Sequence, residues 1–275
     1  MVDIRNILVC VDSSQYSIAT MKYSAYIAKH INADIEALHI IDILQLEGPF
    51  MYDLSGALGL ESFSNFSNEM KKILEEKGKN VFSSFEEIAN AEGVKLKEKM
   101  PLGVVSPTII DESEDFDMVF IGKKGVNASY ERGILGSNIE PVVRKIEKPL
   151  FVANEHFYTP RNIVVGYDNS RVSSTALKYA LYYKSKFNVN ITAVYVGKNE
   201  EKSKEIFADL DSSINTLFIN SEKTADALID FTKEQDNPLL FLGAYSKHRL
   251  LEMIIGSTTE SILRKNSNFP ILVVR

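Results

Sequence analysis

The sequence has no tryptophan, one cysteine and four histidines in 275 residues. A single thiol, Cys10, cannot close an internal disulfide, and its place after Ile7, Leu8 and Val9 reads as core packing rather than redox chemistry. His30, His39, His156 and His248 are not spaced as paired metal ligands or beside a nucleophile, so neither a metal site nor a catalytic residue is assigned. A basic excess is also missing: 31 Lys and Arg stand against 37 Asp and Glu, for a net charge of −6. Such a balance gives no long-range field for a polyanion and excludes extended nucleic-acid binding as the expected function. No apolar run approaches the roughly 20 residues of a membrane span, so the expectation is a cytoplasmic protein without membrane partners. The acidic run Asp111, Glu112, Glu114, Asp115 and Asp117 matches a metal cluster only by count and reads as a solvated helix end and turn.

What is present is an ordinary globular balance, 45% hydrophobic and 25% charged, over a length that exceeds the usual single domain of about 100–150 residues. An internal repeat explains the length. Arg5-Asn6-Ile7-Leu8-Val9-Cys10-Val11-Asp12-Ser13-Ser14 is echoed 156 residues later by Arg161-Asn162-Ile163-Val164-Val165-Gly166-Tyr167-Asp168-Asn169-Ser170. The same offset pairs Ser17 with Ser173, Tyr23 with Tyr179 and Ile35 with Ile191. Farther on, Val119-Phe120-Ile121-Gly122 matches Leu240-Phe241-Leu242-Gly243, and Pro149-Leu150-Phe151-Val152 matches Pro270-Ile271-Leu272-Val273, now at an offset of 121. The second copy is therefore about 35 residues shorter between its second strand and its Gly243 segment. The expected domains are 1–156 and 157–275, divided in the polar stretch between Asn154 and Pro160.

Continuous Val, Ile and Leu runs imply strands buried on both faces, hence parallel sheets with helices on either side. In the first copy strands are expected at Ile4–Val11, Ala33–Ile41, Val94–Met100, Met118–Gly122 and Pro149–Ala153, with a helix at Ser17–His30. The fold class is α/β: two doubly wound, five-stranded, Rossmann-like parallel sheets. Between the second and third strands, residues 61–92 keep a helical rhythm that ends at Gly93, a C-cap residue, and supply the crossover that parallel strands need. The preceding loop, 42–60, is apolar and absent from the second copy, which suits a lid or an interface.

Chemistry concentrates after the fourth strand of each copy. Gly256-Ser257-Thr258 precedes an amphipathic helix, where free N–H groups, hydroxyls and the positive end of the helix dipole suit a phosphate; Ser and Thr there are equally the commonest helix caps. These segments resemble the G-x2-G-x9-G-[ST] phosphate motif of ATP-binding members of the universal stress protein family, and the likeness extends over both copies. It includes Asp12 and Asp168 at the end of the first strand and Leu38-His39-Ile40-Ile41-Asp42 in the second. The resemblance implies an adenine nucleotide (ATP, ADP or AMP), with Mg as a companion ion, flanked by Asp12 or Asp168 and by the backbone at Ile40 or Val196. It also implies phosphates held by Gly122, Gly125, Gly136 and Ser137 in one copy, and by Gly243, Ser246, Gly256, Ser257 and Thr258 in the other. Lys123, Lys124, Lys247 and Arg249 stand in or beside the loops and read either as solvated loop charges or as charge-assisted contacts to a phosphate. Finally, the family commonly dimerises through its last strand, which implies an internal pseudo-dimer with Pro149–Ala153 beside Pro270–Val274, and admits a homodimer.

Neither copy matches the motif perfectly. The first has ten residues, 126–135, before Gly136 where the motif has nine. Counted without a gap, Leu135 falls opposite Gly256 and would crowd a phosphate; if the loop absorbs the extra residue, Gly136 and Ser137 take the glycine and serine positions. The second copy keeps nine spacers but has Ser246 for the second glycine. Three functions compete: a nucleotide-binding regulator of the stress-response type, a weak ATPase of the wider adenine-nucleotide α-hydrolase-like group, and a ligand-free interaction scaffold. The sequence lacks the S-G-G-x-D-S and H-I-G-H signatures of that group's adenylating enzymes, so the regulator is preferred, with at most slow ATP hydrolysis.

Overall fold

Strands that are apolar on both faces are stable only between two helical layers, and the chain satisfies that requirement twice. The computed structural model describes residues 2–47, 63–126, 139–244, 256–265 and 268–275. The first half contains β1 (Asn6–Cys10), α1 (Gln15–Ile31), β2 (Asp34–Leu38), β3 (Ile41–Asp42), α2 (Ile43–Glu47), α3 (Phe63–Glu92), β4 (Leu96–Lys99) and β5 (Leu102–Gly103). It continues with α4 (Val105–Glu112), β6 (Met118–Gly122), α5 (Ile139–Lys145) and β7 (Leu150–Ala153). The second half contains β8 (Asn162–Gly166), α6 (Arg171–Lys186), β9 (Asn190–Gly197), α7 (Glu200–Phe207) and β10 (Asn215–Asn220). It ends with α8 (Thr224–Lys233), β11 (Pro238–Gly243), α9 (Ser257–Lys265) and β12 (Ile271–Val274).

The expected pair of five-stranded sheets is joined into one ten-stranded sheet, ordered β10-β9-β8-β11-β12-β7-β6-β1-β2-β4. All pairings within a half are parallel, and the junction β7–β12 is antiparallel. At that junction Phe151 faces Leu272, and Leu150 and Val152 face Val273 and Ile271. A pseudo-twofold axis therefore passes between Phe151 and Leu272, which are repeat equivalents. The closing strands lie together as expected, and because they run antiparallel, the carboxyl edges of the two halves point to opposite ends of the sheet.

Registers repeat with the sequence. Ile7 pairs Ile35 and Met118, and its equivalent Ile163 pairs Ile191 and Leu239. The expected strand Ala33–Ile41 is divided: pairing with β1 stops at Leu38, and β3 forms a separate two-residue ladder with β5. The reason is local. The chain turns its bonds toward the β4–β5 side, with His39 N–H donating to Lys99 O and Ile41 N–H to Pro101 O, while His39 Nδ1 lies 2.9 Å from Val11 O. The crossover helix α3 ends as expected at Gly93, whose φ of +71° suits glycine, and Val94 N–H donates to Ala89 O. Of the apolar loop 42–60, residues 43–47 form α2, whereas residues 48–60 lie outside the described residues.

Polar groups also cross the junction. Glu140 and Arg144 on α5 and Glu260 and Arg264 on α9 form a closed ring in which each arginine bonds both carboxylates, at 2.8–3.2 Å. Beside it, buried Asn154 accepts from Tyr23 OH and donates to Asn268 O. Arg275, the equivalent of Asn154, donates to Val143 O and Arg144 O.

Candidate functional site

At each carboxyl edge an aspartate is fixed by its own chain. Asp12 N–H donates to Ser17 Oγ, Ser14 N–H donates to Asp12 Oδ1, and Ser17 N–H donates to Ser14 Oγ, all within 2.9–3.1 Å. Asp168, Ser170 and Ser173 repeat these three bonds at 3.0–3.3 Å. Ser14 and Ser170 thereby cap α1 and α6, and each aspartate is locked onto the cap. Partial desolvation pushes the Asp168 carboxyl up, but hydrogen bonds from Ser170 and Ser173 outweigh it and hold the group below its ordinary value. The signal in the sequence was the repeated D-x-S-x2-S, whose serines the motif comparison passed over.

The backbone at Ile40 and Val196 faces the same edge. In a parallel ladder successive residues bond alternately to the two neighbouring strands. Leu38 O accepts from Val11 N–H on the β1 side, and His39 N–H reaches Lys99 on the other. Ile40 accordingly turns back toward the β1 side, beyond the end of β1. In the second half Val194 O accepts from Tyr167 N–H and Gly197 O from Ser221 N–H, so Val196 turns toward the end of β8 in the same way.

The glycines divide by role. Gly122 and Gly243 are close-packing positions: a Cβ on Gly122 would lie 2.8 Å from Tyr16 Cβ, and one on Gly243 would lie 2.8 Å from Val172 Cβ and 2.9 Å from the Val172 carbonyl carbon. Each lets the first turn of α1 or α6 press onto the fourth strand. Gly125 is different, since a Cβ there would lie 2.9 Å from Asp12 Oδ2. It brings the loop after β6 against the aspartate, where Ser14 Oγ also reaches Lys124 O at 3.5 Å.

In the second half, Gly256 N–H donates to Ala244 O at 2.7 Å and Thr259 Oγ1 donates to Gly243 O at 2.8 Å. These bonds tie the first turn of α9 to the end of β11 and set Ser257 and Thr258 at the start of that helix. Ser257 is exposed and Thr258 half-buried, leaving both accessible. Gly136, Ser137 and Ser246 lie outside the described residues. The helices that follow, α5 and α9, are in register with one another. Glu140 with Glu260, Arg144 with Arg264, and buried Val142 with buried Ile262 are equivalent at an offset of 120. That offset of 120, one less than the 121 that relates β6 to β11 and β7 to β12, holds from Ile139 through α5.

Among the described residues no group of three or more His, Cys, Asp or Glu could hold a metal ion, and no helix is long and apolar enough to cross a membrane. The carboxyl edge of each half thus brings together an aspartate and turned-back peptide groups, and that of the second half also the start of α9.

Comparison with known proteins identifies the family and the fold. The universal stress protein family model matches residues 3–154. Universal stress protein Slr1230 of Synechocystis is 26% identical over 98% of this chain and its own full length. Universal stress protein MJ0577 of Methanocaldococcus jannaschii is 29% identical over 45% of this chain and 83% of its own. In fold, the crystal structure of a universal stress protein from Archaeoglobus fulgidus matches with a TM-score of 0.72 and 21% identity over 98% of both chains. With a profile spanning more than half its length and a relative matching end to end, this chain belongs to the universal stress protein family.

Proposed function

We propose that the protein is a cytoplasmic regulator that binds an adenine nucleotide at the carboxyl edge of each half, with Mg accompanying the phosphates. The observation that carries this reading is the second-half crevice. There Asp168 is held ionised by its serines, while the Gly256–Ala244 bond sets the N-terminus of nine-residue α9 over the end of β11. A hydroxyl-rich sugar suits the carboxylate, the adenine edge suits the peptide groups at Val196, and an anion suits the free N–H groups at Ser257 and Thr258. The first half offers the same parts through Asp12, Ile40 and Gly125. The two halves form an internal pseudo-dimer, so a stable pair of sites needs no second chain.

Native mass spectrometry of purified protein, before and after incubation with millimolar ATP, tests the reading. Mass increments of one and two adenine nucleotides are expected. A chain that stays at its own mass under both conditions would remove nucleotide binding and leave the interaction scaffold.

A further inference from the structure

The ten-stranded sheet has two outer edges, and they differ in character. At β4 the edge is guarded: Leu96 is followed by Lys97, Glu98 and Lys99, all three exposed, and such charges deter further pairing. At β10 it is open. Asn215-Thr216-Leu217-Phe218-Ile219-Asn220 carries no charge and no proline, and Leu217, Phe218 and Ile219 are only half-buried. This strand pairs β9 alone, in parallel register from Asn215–Thr192 to Asn220–Gly197. Residues of a parallel strand bond alternately to either side, and Ser221 N–H donates to Gly197 O on the β9 side. Asn215, Leu217 and Ile219 therefore bond β9, while Thr216, Phe218 and Asn220 turn their N–H and C=O groups outward. Those outward groups have no partner among the described residues.

We infer that β10 is the docking edge for a second copy of this chain, paired antiparallel about a two-fold axis through Phe218. With Phe218 opposite its own copy, Thr216 meets Asn220 of the second copy and Asn220 meets its Thr216, so each of the three outward residues exchanges both bonds. Sliding the ladder so that Thr216 meets Phe218 leaves Asn220 opposite Ile214, whose N–H is already given to Asp211 O. The Phe218 register also sets Leu217 against Ile219 of the second copy on one face. On the other face it joins the two Phe218 rings, each backed by its own Tyr195 at a centroid distance of 6.0 Å. No charged residue lies in the ladder to oppose its own copy. A strand that complements itself under a two-fold selects an identical chain over an unrelated partner. The chain already joins its own halves in this manner, through the antiparallel β7–β12 ladder about Phe151 and Leu272.

The test is sedimentation equilibrium of the full chain from about 1 μM to about 1 mM, which spans moderate to weak affinity, with amide exchange measured at the same concentrations. The mass should move toward twice that of the chain. As it does, exchange at Thr216, Phe218 and Asn220 should slow about tenfold or more, while Leu217 and Ile219, already bonded to β9, keep their rates. Thr216→Pro removes an outward N–H without touching a β9 bond and should weaken the pairing about tenfold or more. Thr216→Lys puts a charge at the same exposed position, keeps every backbone group, and should weaken it likewise; it decides the matter if the proline variant does not fold. A chain that stays at its own mass throughout overturns the inference. So does a pair that forms while those three amides exchange freely, or one that the folded variants leave unweakened, since it would use another face.

Discussion

Lys123 ties stability to pH through one side chain. Its folded pKa, about 8, is below the ordinary 10.5, so between those values the unfolded chain holds the extra proton and stability rises with pH. Below about pH 8 both states are protonated and the full cost of the buried charge is present. K123M should therefore be more stable than wild type at pH 7 by on the order of 2 kcal/mol, with the gap closing toward pH 10. Urea midpoints at pH 7 and 10 measure this; an advantage that is constant with pH would show the lysine to be solvated. Asp12 and Asp168 were legible in the sequence because a repeat marks them twice at a strand end. Lys123 was not, because Gly-Lys-Lys-Gly in a loop motif reads as solvated charge, and only the alternation of β6 turns the first lysine inward.

At the level of elements, the paired glycines separate packing from binding. Gly243→Ala should cost about 1–3 kcal/mol, because the new methyl meets the Val172 backbone at 2.9 Å rather than a flexible side-chain end. Thermal denaturation checks it; an unchanged midpoint would mean that α6 can shift freely. Gly125→Ala should leave stability within about 0.5 kcal/mol, since its neighbour is one side-chain oxygen, Asp12 Oδ2, rather than backbone, yet weaken first-half nucleotide binding by pressing on that oxygen. Equilibrium dialysis with labelled ATP in a Gly256→Leu background distinguishes the two effects, and unaltered affinity there would separate Asp12 from the ligand. The break of the second strand at His39 was hidden from the sequence, where Ile35, Ala37, Leu38, Ile40 and Ile41 read on without a turn residue. Tertiary bonds to Lys99 and Pro101 decide it. The register of α5 was equally open, since a one-residue insertion can be absorbed on either side of a helix. The Glu140–Arg264 and Glu260–Arg144 pairs fix it, as no residue count could.

On the scale of the whole molecule, the ten-stranded sheet is two repeats joined at the Phe151–Leu272 axis, with their carboxyl edges at opposite ends. Phe151 is 1% exposed and stacks on Phe120, with centroids 4.7 Å apart. Phe151→Ala should cost about 3–5 kcal/mol and lower the stability of both halves together, read by hydrogen exchange as parallel losses in β1 and β8. Loss confined to β1 would mean that the halves fold independently. Two α/β units and the juxtaposed closing strands were legible from the repeat and the family resemblance, whereas their fusion into a single sheet depends on a backbone ladder that leaves no side-chain signature. The central claim, one adenine-nucleotide crevice per half, is tested most directly by calorimetry with ATP on the wild type, Gly136→Leu, Gly256→Leu and the double variant. Two sites in the wild type, one in each single variant and none in the double variant, with all four chains folded, are the predicted result; ATP affinity unchanged in the double variant would contradict it.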